Sequence, residues 1–179
     1  MNPIFLWFIT NPGLEQTVIS ELKKKPFVKE AHEIFGVPYS VIAKIEVNSM
    51  DEFARTIRPD MHKISGLEAI APAFVLDDSV QAKEPHRRED VARTTFLVTY
   101  HDGLFGVGKR EKMSKTLLEV NGVTKAYDLF TPDMSIHLGW TAISVVEAQN
   151  QRELDDIVRR IHDKLRRKYV GAPQVTRLH

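Results

Sequence analysis

Apolar residues come in short bursts along this chain, and their spacing changes from burst to burst. Ile4-Phe5-Leu6-Trp7-Phe8-Ile9 is apolar without a break, the pattern of a strand covered on both faces. Asn11-Pro12-Gly13 supplies turn chemistry, and Leu14, Val18 and Leu22 then recur at helical spacing through Lys25, with Pro26 as the stop. Val28 to Phe35 fits a second strand, with Val28, Glu30, His32 and Ile34 on one face and Lys29, Ala31, Glu33 and Phe35 on the other. Gly36-Val37-Pro38 breaks it. In the next strand Val41, Ala43, Ile45 and Val47 alternate with Ile42, Lys44 and Glu46, so its two faces differ. The polar face is either open to solvent or the wall of a pocket. Asn48 or Ser49 can cap a helix with Asp51 and Glu52 in its first turn and Phe53, Ala54 and Ile57 on its inner face. Pro59 kinks or interrupts that helix, and Leu67 to Leu76 supplies a last strand.

From Asp77 to Arg93 the chain turns polar and charged without apolar periodicity, which reads as a linker or an exposed excursion. The pattern of the first half then returns. Thr95 to Tyr100 matches the first strand and Met113 to Val120 the first helix. Gly122 to Thr131 lies over Phe27 to Gly36, pairing Val28 with Val123, Ala31 with Ala126, His32 with Tyr127 and Phe35 with Phe130. Further on, Glu46 falls on Glu147 and Glu52 on Glu153, while Ala71 falls on Ala172. Leu154, Ile157, Val158, Ile161 and Leu165 make the second-half helix the strongest amphipathic segment. The expected units are 1–78 and 94–179, joined by a charged linker at 79–93.

The order in each half is that of the ferredoxin-like βαββαβ unit, so the fold class is α+β with two such units in tandem. The stretch from Asn11 to Asp78 resembles the effector-binding domain of leucine-responsive regulatory protein and AsnC regulators, the RAM domain. The resemblance rests on Asn11-Pro12-Gly13 before the first helix and on Val28 through Gly36-Val37-Pro38-Tyr39. It continues in the run Ala43-Lys44-Ile45-Glu46-Val47-Asn48-Ser49-Met50-Asp51-Glu52 and in Gly66-Leu67-Glu68. It covers nearly all of the first half, and the second half through its alignment to the first. It implies antiparallel sheets packed face to face, the dimeric α/β-barrel type, within or between chains. The family's helix-turn-helix is not seen ahead of the first strand, so no direct DNA binding is expected. The family's turn commonly reads Gly-x-Tyr-Asp, whereas here Gly36 and Tyr39 stand one residue further apart and Ser40 takes the Asp place.

Charge and composition narrow the functional classes. Lys and Arg (25) nearly balance Asp and Glu (24), so there is no global field to draw in nucleic acid or an anionic membrane. No cysteine is present, which removes disulfides, thiolate nucleophiles and cysteine-based metal sites. The run Ile4 to Ile9 is too short for a signal core or a membrane span, and the expected location is the cytoplasm. Lys23, Lys24 and Lys25, and later Lys164, Arg166, Arg167 and Lys168, could meet nucleic acid; cations in a last helical turn are more simply explained by the macrodipole. Gly103 to Lys109 satisfies Gly-x4-Gly-Lys, but Arg110 stands where a magnesium-binding hydroxyl belongs. Lys112-Met113-Ser114-Lys115 resembles the signature loop of class I aminoacyl-tRNA synthetases, in a chain too small for that domain.

The resemblance implies a stand-alone, non-enzymatic sensing module that binds a small molecule, an amino acid on the family's pattern. It is expected to act through self-association or a related regulator, with no cofactor, metal site or membrane partner. The expected effector residues are Gly36, Tyr39, Ser40 and His32, with Thr131, Asp133 and His137 as second-half counterparts. The alternative is a dimeric α/β-barrel enzyme, a monooxygenase or a haem- or sirohaem-modifying protein, with the chemistry on His32, Tyr127 and His137.

Overall fold

The structure, a computed structural model, describes residues 3–34, 39–76, 81–82, 92–101, 113–130, 140–165 and 174–178. It divides into two compact units, Met1–Phe74 and Val75–Leu178.

In the first unit β1 (Pro3–Thr10) leads through α1 (Glu15–Lys23) to β2 (Val28–Glu33) and β3 (Val41–Glu46). A helical stretch from α2 (Met50–Glu52) to α3 (Arg58–Met61) then leads to β4 (Leu67–Val75). The strands are antiparallel in the order β2-β3-β1-β4, the ferredoxin-like arrangement. Ile4, Leu6 and Phe8 of β1 and Val41, Ala43 and Ile45 of β3 pack with Val18 and Leu22 of α1 and with Phe53, Ile57 and Met61. The other face of β1 is buried as well, at Phe5 and Trp7, which accounts for the unbroken apolar run. Pro59 does not end its helix. Residues Phe53–Ile57 form a π turn, in which Arg58 N–H reaches back five residues to Phe53 O. Widening the turn makes room where a proline ring would otherwise meet the preceding carbonyl.

The second unit repeats the plan with β6 (Thr94–His101), α4 (Met113–Leu118), β7 (Val123–Phe130), β8 (Trp140–Ala148), α5 (Gln151–Leu165) and β9 (Gln174–Arg177), ordered β7-β8-β6-β9. The charged linker expected at 79–93 lies almost wholly outside the described residues; within it, Gln81–Ala82 (β5) pairs with β7. Without a proline, α5 runs unbroken and buries Leu154, Ile157, Ile161 and Leu165 against Phe96, Val98, Tyr100, Ala142 and Val146.

Local geometry carries the duplication more clearly than sequence identity does. Val28 pairs with Ile45 and Glu30 with Lys44, so Lys29 is an extra residue, a β-bulge. In the second unit Val123 pairs with Val146 and Lys125 with Val145, which puts the same bulge at Thr124. Both bulges break the strict alternation expected for the second strand. Val28 therefore packs on the helix-side core instead of sharing a face with Glu30 and His32. Beside each bulge the same bond recurs, from Glu46 N–H to Phe27 O at 2.9 Å and from Glu147 N–H to Gly122 O at 3.0 Å. Each second helix opens with a capping box. Glu52 N–H donates to Ser49 Oγ (3.0 Å) and Asn48 N–H to Glu52 Oε2 (2.6 Å); Glu153 N–H donates to Asn150 Oδ1 (3.0 Å) and Gln149 N–H to Glu153 Oε2 (2.8 Å). The strand registers also correct one pairing. Ala71 stands opposite Trp7, and the residue opposite Thr99 at the matching place is Gln174, not Ala172.

Candidate functional site

Strand register assigns the side chains on the helix-free face of the first sheet. One cross-strand row runs His32, Ile42, Trp7, Ala71, and the next runs Glu30, Lys44, Phe5, Ala73. Aromatic and small residues fill the middle and the β4 side, and Ile42, Trp7, Phe5, Ala71 and Ala73 are all buried. The β2 end is charged and still reachable. His32 keeps 25% of its side chain exposed, Lys44 19% and Glu30 47%. Glu30 stands between the two bases, with Oε2 3.7 Å from His32 Nε2 and Oε1 3.7 Å from Lys44 Nζ. These are ion-pair distances, longer than hydrogen bonds. The polar face of β3 is thus graded, from buried Ile42 through largely buried Lys44 to exposed Glu46.

Backbone hydrogen bonds place Ser40 next to that charged end. Ile34 N–H donates to Ser40 O at 2.8 Å and Ser40 N–H to Phe8 O at 3.0 Å, so Ser40 extends the pairing one step beyond the His32–Ile42 row. Its hydroxyl lies 2.6 Å from Thr10 Oγ1. Tyr39 is buried. Gly36 lies outside the described residues, as do Thr131, Asp133 and His137 of the second-unit turn and Lys109 and Arg110 of the glycine-rich loop. Lys44 was the residue sequence reasoning did not single out. Its signal was the alternation of β3, which placed a lysine between Ile42 and Glu46 on a face read as a possible pocket wall.

At the matching places of the second unit the chemistry is different. Tyr127, Ile143 and Thr99 replace the row of His32, and Lys125, Val145 and Leu97 replace that of Glu30. Tyr127, Ile143, Thr99 and Leu97 are buried and Lys125 is exposed, so only the first unit places half-buried charges there. On the helix side Tyr100 Oη lies 3.0 Å from Ser144 Oγ, and burial pushes its phenol pKa up. A second buried polar pair fixes α4. Asp128 on β7 accepts from Ser114 N–H at 3.0 Å and from Ser114 Oγ–H at 2.7 Å. That assigns Ser114, within the synthetase-like tetrapeptide, a helix-anchoring place. The first-unit counterpart of Asp128 is Glu33, which accepts from Gln16 Nε2 of α1 at 2.6 Å.

Three cations of the basic clusters make local ion pairs. Lys24 meets Glu21 at 2.5 Å, Lys25 meets Asp60 at 2.6 Å and Lys164 meets Glu119 at 2.7 Å. The Lys25 hydrogen bond holds the Asp60 carboxyl below the usual carboxylate range. Among the described residues no three His, Asp or Glu side chains converge as a metal site, and no helix is long and apolar enough to cross a membrane.

No protein-family model matches the chain, and no curated protein matches it in sequence. Solved structures do match. The sirohaem decarboxylase NirDL is 7% identical, with a TM-score of 0.63 over 98% of this chain and 70% of its own. A W145V variant of chlorite dismutase from Candidatus Nitrospira defluvii is 10% identical, with a TM-score of 0.56 over 99% of this chain and 90% of its own. FFRP-DM1 is 25% identical over 42% of this chain and 100% of its own, with a TM-score of 0.40. The first two likenesses establish the fold, α+β with ferredoxin-like units in tandem, of the dimeric α/β-barrel type.

Proposed function

We propose that the chain is a small-molecule-sensing module of the leucine-responsive regulatory protein/AsnC effector-domain kind, with its ligand site at the β2–β3 hairpin of the first unit. The observation that carries this reading is the half-buried Glu30–His32–Lys44 cluster at the reachable end of an otherwise buried apolar face. Charged side chains are rarely withdrawn from water without a partner, and a mixed-charge set beside an apolar wall suits a small ligand with ionic ends. The ligand is an amino acid, held by His32, Tyr39, Ser40 and the backbone at Gly36. Thr131, Asp133 and His137 form the second-unit counterpart, and the signal passes through self-association or a related regulator. A thermal-shift screen of the amino acids tests this. One present at 100 times its Kd stabilises the folded state by about 2.7 kcal/mol. If none moves the melting temperature, amino-acid sensing is wrong.

A second reading is raised by the likeness of fold to the sirohaem decarboxylase NirDL, which has also been solved with an iron-uroporphyrin III analogue. In that case His32, on the same face as Phe5 and Trp7, would handle a tetrapyrrole. Adding iron-uroporphyrin III to the purified protein should then produce a shifted Soret band that His32→Ala abolishes. An unshifted spectrum at stoichiometric protein removes this reading.

A further inference from the structure

Within the proposed sensing site, Lys44 stands out for what it does not bond. Its side chain is four-fifths buried, yet among the described residues its ammonium makes no hydrogen bond and has Glu30 as its ion-pair partner, at 3.7 Å. An ammonium carries three donors, and a protein that withdraws one this far from water normally satisfies them. Lys25, comparably exposed at 27%, bonds Asp60 at 2.6 Å. The difference does not come from a lack of nearby carboxylate. Glu30 is close enough to neutralise Lys44 but is set between it and His32, at the same 3.7 Å from each.

We infer that Lys44 is the anchor for a carboxylate of the ligand and that Glu30 is an internal competitor for it. Resting on the reading of this face as a ligand site, the proposal assigns opposite roles to two residues of one ion pair. Lys44 projects from the centre of β3, opposite buried Phe5 and two residues from buried Ile42, so a carboxylate that reaches it stands at the margin of an apolar face. Glu30 is on the outer strand and 47% exposed, so it can swing into water when an anion arrives, at little cost in buried charge. The resting state is thereby kept from trapping a lone ammonium, and binding becomes an exchange of one carboxylate for another. The ligand class is a small molecule with at least one carboxylate and an apolar portion.

The test is isothermal titration of wild type, Lys44→Met and Glu30→Gln with the amino acid that gives the largest thermal shift, and with propionate as a carboxylate without an amine. Lys44→Met keeps the length of the stem and its packing, and Glu30→Gln keeps the shape of the competitor without its charge. The expected result is opposite signs. Lys44→Met weakens both ligands by about tenfold or more, the scale of a hydrogen bond to a charged group. Glu30→Gln tightens both by about fivefold, the scale of a partly exposed ion pair. If Glu30→Gln weakens the amino acid, Glu30 is a direct contact for its ammonium, and the competitor role is overturned while the sensing site stands. If Lys44→Met binds as wild type does, the anchor role falls. Unliganded melting temperatures of the variants serve as the check on folding, and if no ligand binds wild type or Glu30→Gln, both the inference and the site reading fail.

Discussion

Gly122 offers a sharp test of how the second unit is held together. It sits in the turn before β7 with φ of +100°, and a Cβ added there would lie 2.4 Å from Ile157 Cδ1 and 2.9 Å from Ile157 Cγ1. Ile157 is fully buried in the face of α5 that packs on the sheet, so it cannot turn outwards to make room. Two costs therefore add in Gly122→Ala. Holding an L-residue at positive φ costs about 1–2 kcal/mol, and forcing extra volume into a packed core costs about 1–3 kcal/mol. The sum is about 2–5 kcal/mol, and with a urea m-value of about 2 kcal/mol/M the midpoint falls by about 1–2.5 M. Gly13→Ala separates the two costs, since Gly13 has φ of +84° but nothing within 4 Å of the added Cβ. It should lose only the backbone part, about 1–2 kcal/mol. Shortening the neighbour with Ile157→Val should recover part of the loss in the double variant but not in Gly13→Ala. Equal losses in Gly122→Ala and Gly13→Ala would show that the approach of Gly122 to α5 contributes nothing.

Two further outcomes follow from buried and paired carboxylates. Asp128→Ala leaves the Ser114 amide and hydroxyl without their described acceptor in a buried place, at about 1–3 kcal/mol for each group left unpaired. Urea melts should show this loss, with Asp128→Asn recovering part of it, and an Ala variant as stable as wild type would refute the anchoring of α4. Asp60 has its folded pKa lowered from 3.8, chiefly by the Lys25 hydrogen bond, so its contribution is present above that unfolded value and is lost as pH falls through the folded one. The stability difference between wild type and Asp60→Asn should therefore be flat near neutral pH and shrink in acid, and a difference that grew on acidification would contradict the pairing.

Much of the fold could be read from periodicity because the apolar positions do double duty. The unbroken run of β1 required two covered faces, and the alternation of β3 required two unlike ones, and both are found. The repeat was legible in Glu52 with Glu153 because their carboxylates close the capping boxes, a task few side chains perform; the bond beside each bulge uses the backbone N–H of Glu46 and Glu147 and accounts for neither identity. Other features depend on geometry that a one-dimensional pattern does not encode. The bulge at Lys29 moves Val28 to the opposite face, and nothing in Val-Lys-Glu distinguishes a bulged strand from a regular one. Pro59 announced a disturbance, but not that a π turn would absorb it. At the candidate site His32 was legible as an unusual residue on a strand. The standing of Lys44 was not, since it depends on what Glu30 does across the strand pair.

The two bulges also bear on the history of the molecule. Straightening either second strand with its residue count unchanged would slip it by one position against its neighbour and exchange inside for outside along the slipped part, sending charge into the core and apolar groups outwards. No point substitution therefore leads smoothly from the bulged strand to a straight one. The bulge therefore behaves as a ratchet. Its recurrence at the matching place of both units, with few identical residues around it, is what duplication of an already bulged half would leave.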